Sequence, residues 1–108
     1  MTMPDLPAPV RRAIDAATSG DTAGFLAEFG ATGAVDDWGR VFTGPDAIRG
    51  WSDAEFIGKQ VALDITGVDV DGTVVTVTAQ VGGQGFHGPS HFAFTVEGDH
   101  VSLMRITA

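Results

Sequence analysis

Residues 61–81, VALDITGVDVDGTVVTVTAQV, decide the fold class of this chain. Apolar and polar residues alternate on both sides of Asp71-Gly72, and this period of two is typical of β-strands. An Asp-Gly pair between two such segments is a strong signal for a two-residue hairpin turn. The stretch therefore predicts two antiparallel strands. The same alternation predicts two further strands at residues 90–96 and 100–107.

The N-terminal half of the chain carries helical signals instead. Pro7 suits a helix entry, apolar residues then recur at helical spacing, and Gly20 suits a helix end. Asp21 is a good N-cap for a second helix, and Pro45 suits the first turn of a third helix that we expect to end at Gly58. A short hairpin is predicted at residues 34–42.

This separation of helices from strands predicts an α+β fold. We expect a strongly bent antiparallel sheet whose concave face is covered by the three N-terminal helices, so that the whole forms a cone around a pocket. Glycines in the strands and loops favour the bending. The 108 residues fit one domain over residues 1–108.

The composition argues against several kinds of partner. With 14 acidic and 6 basic residues the formal net charge is −8, which repels phosphate backbones, so no nucleic-acid partner is expected. No apolar run approaches the roughly 20 residues that span a bilayer, and the first residues do not resemble a signal peptide, so no membrane partner is expected. The absence of cysteine is compatible with a reducing cytoplasm, which is the predicted location.

No metal or cofactor is predicted. The three histidines, His87, His91 and His100, lack metal-ligand spacing with one another or with a carboxylate on one element. The glycines at residues 82–85 lack the strand-to-helix setting of a phosphate-binding loop.

Several short motifs follow one another along the chain: SGD at 19–21, FLAEF at 25–29, VDDWG at 35–39, FTGPDAIR at 42–49, PSHFAF at 89–94 and VSLMRI at 101–106. In this order they resemble the nuclear-transport-factor-2-like superfamily, which includes SnoaL-like polyketide cyclases and ketosteroid isomerases. The resemblance covers nearly the whole chain and implies a cone-shaped α+β domain that pairs as a homodimer. It does not imply one activity, because this fold hosts unrelated enzymes and many non-enzymes.

In the isomerases of this fold a carboxylate is the base, and a tyrosine and a protonated aspartic acid stabilise the enolate oxygen. The resemblance places the base at Asp37, the tyrosine near Ala13 and the protonated acid at Ser90. The chain contains no tyrosine, and a serine stands at the position of the protonated acid, so both original donors are replaced. Loss of one such donor typically lowers the rate by about 10²–10³, so ketosteroid isomerisation is not expected.

Strand alternation independently favours Asp37 as the inward acid, because it shares a strand face with Val35 while Asp36 points the other way. A carboxylate among apolar side chains, without a cationic partner, would act as a general base near neutral pH. The alternative is that the inward acid is held in structural hydrogen bonds. The other predicted pocket residues are Val35, Trp38, Phe42, Val77, Ala79, Ser90, Phe92, His100, Met104 and Ile106.

Two functional hypotheses follow from these residues. The first is cofactor-free acid–base catalysis, of the isomerase or cyclase type, on a small hydrophobic molecule with Asp37 as base. The alternative is a non-catalytic module that binds a small molecule or is purely structural and dimeric. Small side chains at Ala79, Ser90 and Ser102 favour a real cavity. The opposite sheet face is partly apolar and predicts a homodimer through Val74, Thr76, Thr78, Val101 and Leu103.

Overall fold

The structure is a computed structural model, and it describes residues 6–85 and 87–108. Its helices are α1 (Ala8–Ser19), α2 (Thr22–Phe29) and α3 (Pro45–Glu55), followed by a 3-10 turn at Ile57–Lys59. Gly20 ends α1 with a left-handed φ of 79°, and the Asp21 carboxylate caps α2 by accepting the Gly24 N–H. No helix in this part of the chain has the length and apolar character needed to cross a membrane.

Helix α3 ends earlier than the sequence predicts. Phe56 leaves the helical conformation, with φ −126° and ψ −92°, and the chain turns back on itself before Gly58. A Cβ atom at Gly58 would lie 1.7 Å from the Asp53 carbonyl oxygen. Gly58 is therefore needed for this close approach of two backbone segments and does not mark the end of α3.

Six strands of the described chain form one sheet in the order β2-β1-β6-β5-β4-β3. The strands are β1 (Ala34–Asp37), β2 (Arg40–Thr43), β3 (Ala62–Asp71), β4 (Val74–Gly82), β5 (Gly88–Glu97) and β6 (His100–Thr107). The predicted α+β class, with three helices ahead of a meander of strands, is confirmed. The sheet is mixed, however, because β1 runs parallel to β6 and thereby covers what would be an open edge of the meander.

Two bulges interrupt the strand alternation. In β3 the pairing register shifts between Ile65 and Gly67, and in the β5–β6 pair it shifts so that Ser102 has no partner of its own. A bulge adds one residue to a strand and bends it locally. As a result Val101 and Met104 both lie in the core, whereas the regular alternation predicts Val101 on the outer face.

The core is a cluster of apolar side chains between the helices and the inner face of the sheet. Phe25 of α2 links the helices, with ring centroids 5.0 Å from Phe29 and 5.6 Å from Phe56. Phe56 in turn lies 6.3 Å from Phe92 of β5. This chain of aromatic contacts connects the helical layer to the sheet beside a cavity.

Candidate functional site

A cavity of about 330 Å³ lies between the end of α3, the 3-10 turn and the inner face of the sheet. Its volume is at the lower end of the range for small-molecule sites, which are mostly apolar with a few placed polar groups. The lining fits that description: Asp37, Trp38, Trp51, Ala54, Glu55, Phe56, Lys59, Val61, Val81, Gly82, Gly85, Ser90, Phe92 and Ile106.

Strand β1 delivers Asp37 to this cavity. Val35 is fully buried two residues earlier, and the Asp37 side chain is 14% exposed at the end of the strand. The neighbouring Asp36 is bound elsewhere, because it accepts the Gly39 N–H at 2.8 Å and the Arg105 Nε–H at 3.3 Å. The two adjacent carboxylates therefore have different partners, and Asp37 is the one that lines the cavity.

One oxygen of Asp37 carries all of its hydrogen bonds to the described residues. Asp37 Oδ2 accepts the indole N–H of Trp51 at 3.0 Å and an Arg40 guanidinium N–H at 2.5 Å. Oδ1 has no hydrogen-bond partner within the described part of the chain. Within the described residues the carboxylate is thus held through one oxygen only.

Arg40 also binds Glu55, and the prediction that Asp37 lacks a cationic partner is wrong. The guanidinium donates to both Glu55 oxygens, at 2.7 and 3.0 Å, and so joins the β1–β2 hairpin to the end of α3. These hydrogen bonds lower the pKa of Glu55 below its ordinary value. The pKa of Arg40 is raised, first by Glu55 and then by Asp37. Since the side chains of Arg40 and Glu55 are 53% and 44% exposed, water screens this pair and its effect on stability is small.

Ser90 supplies a second polar group to the cavity. It lies on β5, between β4 and β6, and only 2% of its surface is exposed. Its hydroxyl has no hydrogen-bond partner in the described residues. Every fully buried side-chain nitrogen or oxygen in those residues does have a partner, so the Ser90 hydroxyl oxygen cannot be fully buried. The Ser90 hydroxyl therefore borders the cavity and can donate a hydrogen bond to a ligand.

The opposite rim is formed where the β4–β5 loop meets the 3-10 turn. Gln84 donates through its backbone N–H to the Lys59 carbonyl at 2.8 Å and through its side chain to Gln60 at 2.9 Å. Gly83 has φ 115°, and a Cβ there would lie 2.6 Å from the Gln60 carbonyl oxygen. This rim is thus fixed by backbone contacts that require a glycine.

The predicted pocket residues fall into three groups. Trp38, Ser90, Phe92 and Ile106 line the cavity together with Asp37. Four others are buried in the core: Val35, Val77, Ala79 and Met104. Phe42 is half-buried with its ring centroid 6.1 Å from that of Trp51, and His100 is exposed at the start of β6, away from this lining.

Sequence reasoning missed the contribution of α3 and the 3-10 turn. Trp51, which is not among the predicted pocket residues, is buried and donates its indole N–H to Asp37. Trp51 and Glu55 are four residues apart and so share a helix face, which was a usable signal. Phe56 and Lys59 follow the end of the helix, where no periodicity indicates their direction. Among the residues described, no cluster of histidine and carboxylate side chains is arranged to hold a metal ion.

The sequence matches no protein-family model and no curated protein. Solved structures, by contrast, match over almost the whole chain, and they show that it has the nuclear-transport-factor-2-like fold, as the sequence motifs predict. A candidate polyketide cyclase from Sinorhizobium meliloti superimposes with a TM-score of 0.84 at 27% identity, covering 95% of this chain and 96% of that one.

Two further structures support the same assignment. A hypothetical protein with a ketosteroid isomerase-like fold from Catenulispora acidiphila, solved in complex with trimethylamine, has a TM-score of 0.79 at 24% identity and covers 99% of this chain and 87% of that one. A protein of unknown function from Cytophaga hutchinsonii has a TM-score of 0.80 at 8% identity, covering 99% and 93%. At these identities the likeness concerns the fold alone.

Proposed function

We propose that this protein binds a small, largely apolar carbonyl compound in the cavity and moves one of its protons without a cofactor, with Asp37 as the general base. The observation that carries the proposal is the arrangement of the Asp37 carboxylate. Its Oδ2 is held by Trp51 and Arg40, while its Oδ1 has no partner among the described residues. A positioned base next to apolar walls is the arrangement that proton abstraction from carbon requires.

The proposed step transfers a proton from the carbon beside the carbonyl group to Asp37 Oδ1. The electron pair of the broken C–H bond moves onto the carbonyl oxygen, where the Ser90 hydroxyl donates a hydrogen bond to the developing charge. In an isomerisation Asp37 then returns the proton to a different carbon of the conjugated system. In a cyclisation the enolate carbon instead attacks a second carbonyl of the same molecule, and Asp37 gives its proton to the oxygen of that second carbonyl. The match to a candidate polyketide cyclase at 27% identity supports chemistry of this class.

Deuterium exchange tests this proposal without knowledge of the natural substrate. 2-Tetralone is a two-ring ketone with acidic protons beside its carbonyl, and proton NMR in D₂O follows their replacement. We expect the protein to accelerate the exchange and Asp37→Asn to reduce the acceleration by at least about 100-fold, since a general base contributes about 10²–10⁴. Asp36→Asn is the matched control and should leave the rate unchanged. Equal rates for wild type and Asp37→Asn would exclude Asp37 as the base.

A second candidate function is binding without turnover, and the ion pair between Arg40 and Asp37 favours it. A carboxylate with a guanidinium partner serves well to orient a ligand and to close the rim of a cavity. The Catenulispora protein, which has this fold, is itself solved with a small molecule bound. Binding of 2-tetralone with no exchange above the buffer rate would favour this second function.

We propose in addition that two copies associate through the outer face of the sheet. The side chains of Val74, Thr76, Thr78 and Leu103 are half-exposed there, and they are apolar or carry a methyl group. A contiguous surface of this kind is typical of protein–protein contacts.

A further inference from the structure

Trp38 occupies a backbone conformation that bulky residues avoid. It is the first of the two residues that connect β1 to β2, with φ 55°, and Gly39 follows with φ 89°. Positive φ at both central residues is the signature of a type I′ hairpin turn, for which Asn-Gly is the favoured pair. For a residue with a Cβ atom the left-handed conformation costs free energy, so Trp38 strains the turn.

Most of the Trp38 surface is exposed to solvent rather than packed within the described chain. The Trp38 side chain is 60% exposed and lies outside the buried core cluster. The aromatic pairs identified in the described residues involve Trp51 but not Trp38. Trp38 does, however, line the cavity directly beside Asp37. Residues held in a strained backbone conformation tend to occur at functional sites.

We propose that Trp38 is a ligand-contacting residue that stacks its indole ring on a planar, unsaturated ring system held in the cavity. This inference rests on the proposed function and narrows its ligand class. An indole offers a large flat apolar surface, and such surfaces interact best with other flat ring systems in offset stacking. The strain of the turn is present with or without ligand, whereas the stacking contact exists only when a ligand is bound. Because a saturated ring system is not flat and stacks less well on an indole, Trp38 selects planar ring compounds over saturated compounds with the same carbon skeleton.

Trp38→Asn separates this role from a structural one, because the two predict opposite changes in stability. Asparagine is favoured at this turn position, so we expect the melting temperature to rise by about 2–5 °C. Affinity for 2-naphthol, followed by its own fluorescence, should fall at least fivefold. Affinity for decahydro-2-naphthol, its saturated counterpart measured by competition, should change less than twofold. Val41→Asn is the matched control, since Val41 is also 60% exposed on the same hairpin but lies outside the cavity lining, and it should leave both affinities unchanged.

Each other outcome overturns the inference in a recognisable way. A lower melting temperature for Trp38→Asn would show that the side chain stabilises the fold or a contact between copies. If Trp38→Asn prefers 2-naphthol over its saturated counterpart by the same affinity ratio as wild type, Trp38 does not distinguish planar from saturated rings. If wild-type protein binds 2-tetralone but neither of these alcohols, the role of Trp38 fails while the proposed function stands; if it binds none of the three compounds, both fail.

Discussion

Replacing Trp51 with phenylalanine removes one hydrogen bond from the candidate site and keeps most of the aromatic packing. The indole of Trp51 is 4% exposed and stacks on Phe56 with centroids 4.9 Å apart, a contact that a phenylalanine ring can retain. The group that disappears is the N–H that donates to Asp37 Oδ2 at 3.0 Å. The variant therefore tests whether this bond holds the carboxylate in place.

The expected loss of stability follows from the nature of the acceptor. A hydrogen bond to a charged group contributes about 1.5–3 kcal/mol. The lower end applies here, because Asp37 keeps Arg40 as a partner and water reaches the 14% of its side chain that is exposed. A loss of about 1.5 kcal/mol corresponds to a decrease in melting temperature of about 6–12 °C for a domain of this size. The smaller ring also leaves unfilled space, which adds to the loss.

A double-mutant cycle isolates the hydrogen bond from the packing change. Urea unfolding is measured for wild type, Trp51→Phe, Asp37→Ala and the double variant, and the packing change cancels between the two sides of the cycle. We expect a coupling free energy of about 1 kcal/mol between the two positions, within the range of contacting pairs. A coupling below about 0.3 kcal/mol, the level at which independent sites add, would refute the claim that Trp51 orients Asp37.

Two further predictions concern charge and assembly. The pKa of Glu55 is lowered from 4.5 in the folded protein, so its ion pair stabilises the fold above that pH and the contribution is lost as the pH falls through the folded-state pKa. Glu55→Gln should accordingly melt slightly below wild type at pH 7, and this difference should shrink as the pH falls below 4.5. A difference that grows on acidification would contradict the assignment. Light scattering at micromolar concentration should give twice the monomer mass of 11.2 kDa, whereas a mass of 11.2 kDa would exclude the proposed homodimer.

The sequence was sufficient where short-range signals act alone. The end of α1 follows from Gly20 and the start of α2 from Asp21, because each depends on the conformational preferences of adjacent residues. The β3–β4 hairpin predicted from Asp71-Gly72 is also present, although its two connecting residues are Gly72 and Thr73 and Asp71 ends β3. The order of motifs was then enough to predict the fold. Alternation over the short strand β1 also led to the prediction that Asp37 faces the cavity.

Most contacts between distant segments could not be predicted from these short-range signals. The parallel pairing of β1 with β6 joins strands more than 60 residues apart, and nothing in either strand specifies its neighbour. The bulge at Ser102 contains no glycine that would indicate it in the sequence, so Val101 was predicted on the wrong face. Arg40 and Glu55 meet only because α3 packs beside the β1–β2 hairpin. The Arg40–Glu55 pair therefore could not be predicted, whereas Arg40 lies directly opposite Asp37 in the predicted hairpin, and that register was a usable signal for the cationic partner of Asp37.

A crystal structure with 2-tetralone bound tests most directly whether Asp37 and Ser90 act together on a carbonyl compound. The account predicts the ketone inside the cavity, with the carbon beside its carbonyl about 3–3.5 Å from Asp37 Oδ1. The carbonyl oxygen should lie about 2.7–3.1 Å from Ser90 Oγ. A ketone bound outside the cavity, or one whose carbonyl oxygen accepts from Arg40 while its acidic carbon points away from Asp37, would contradict the account.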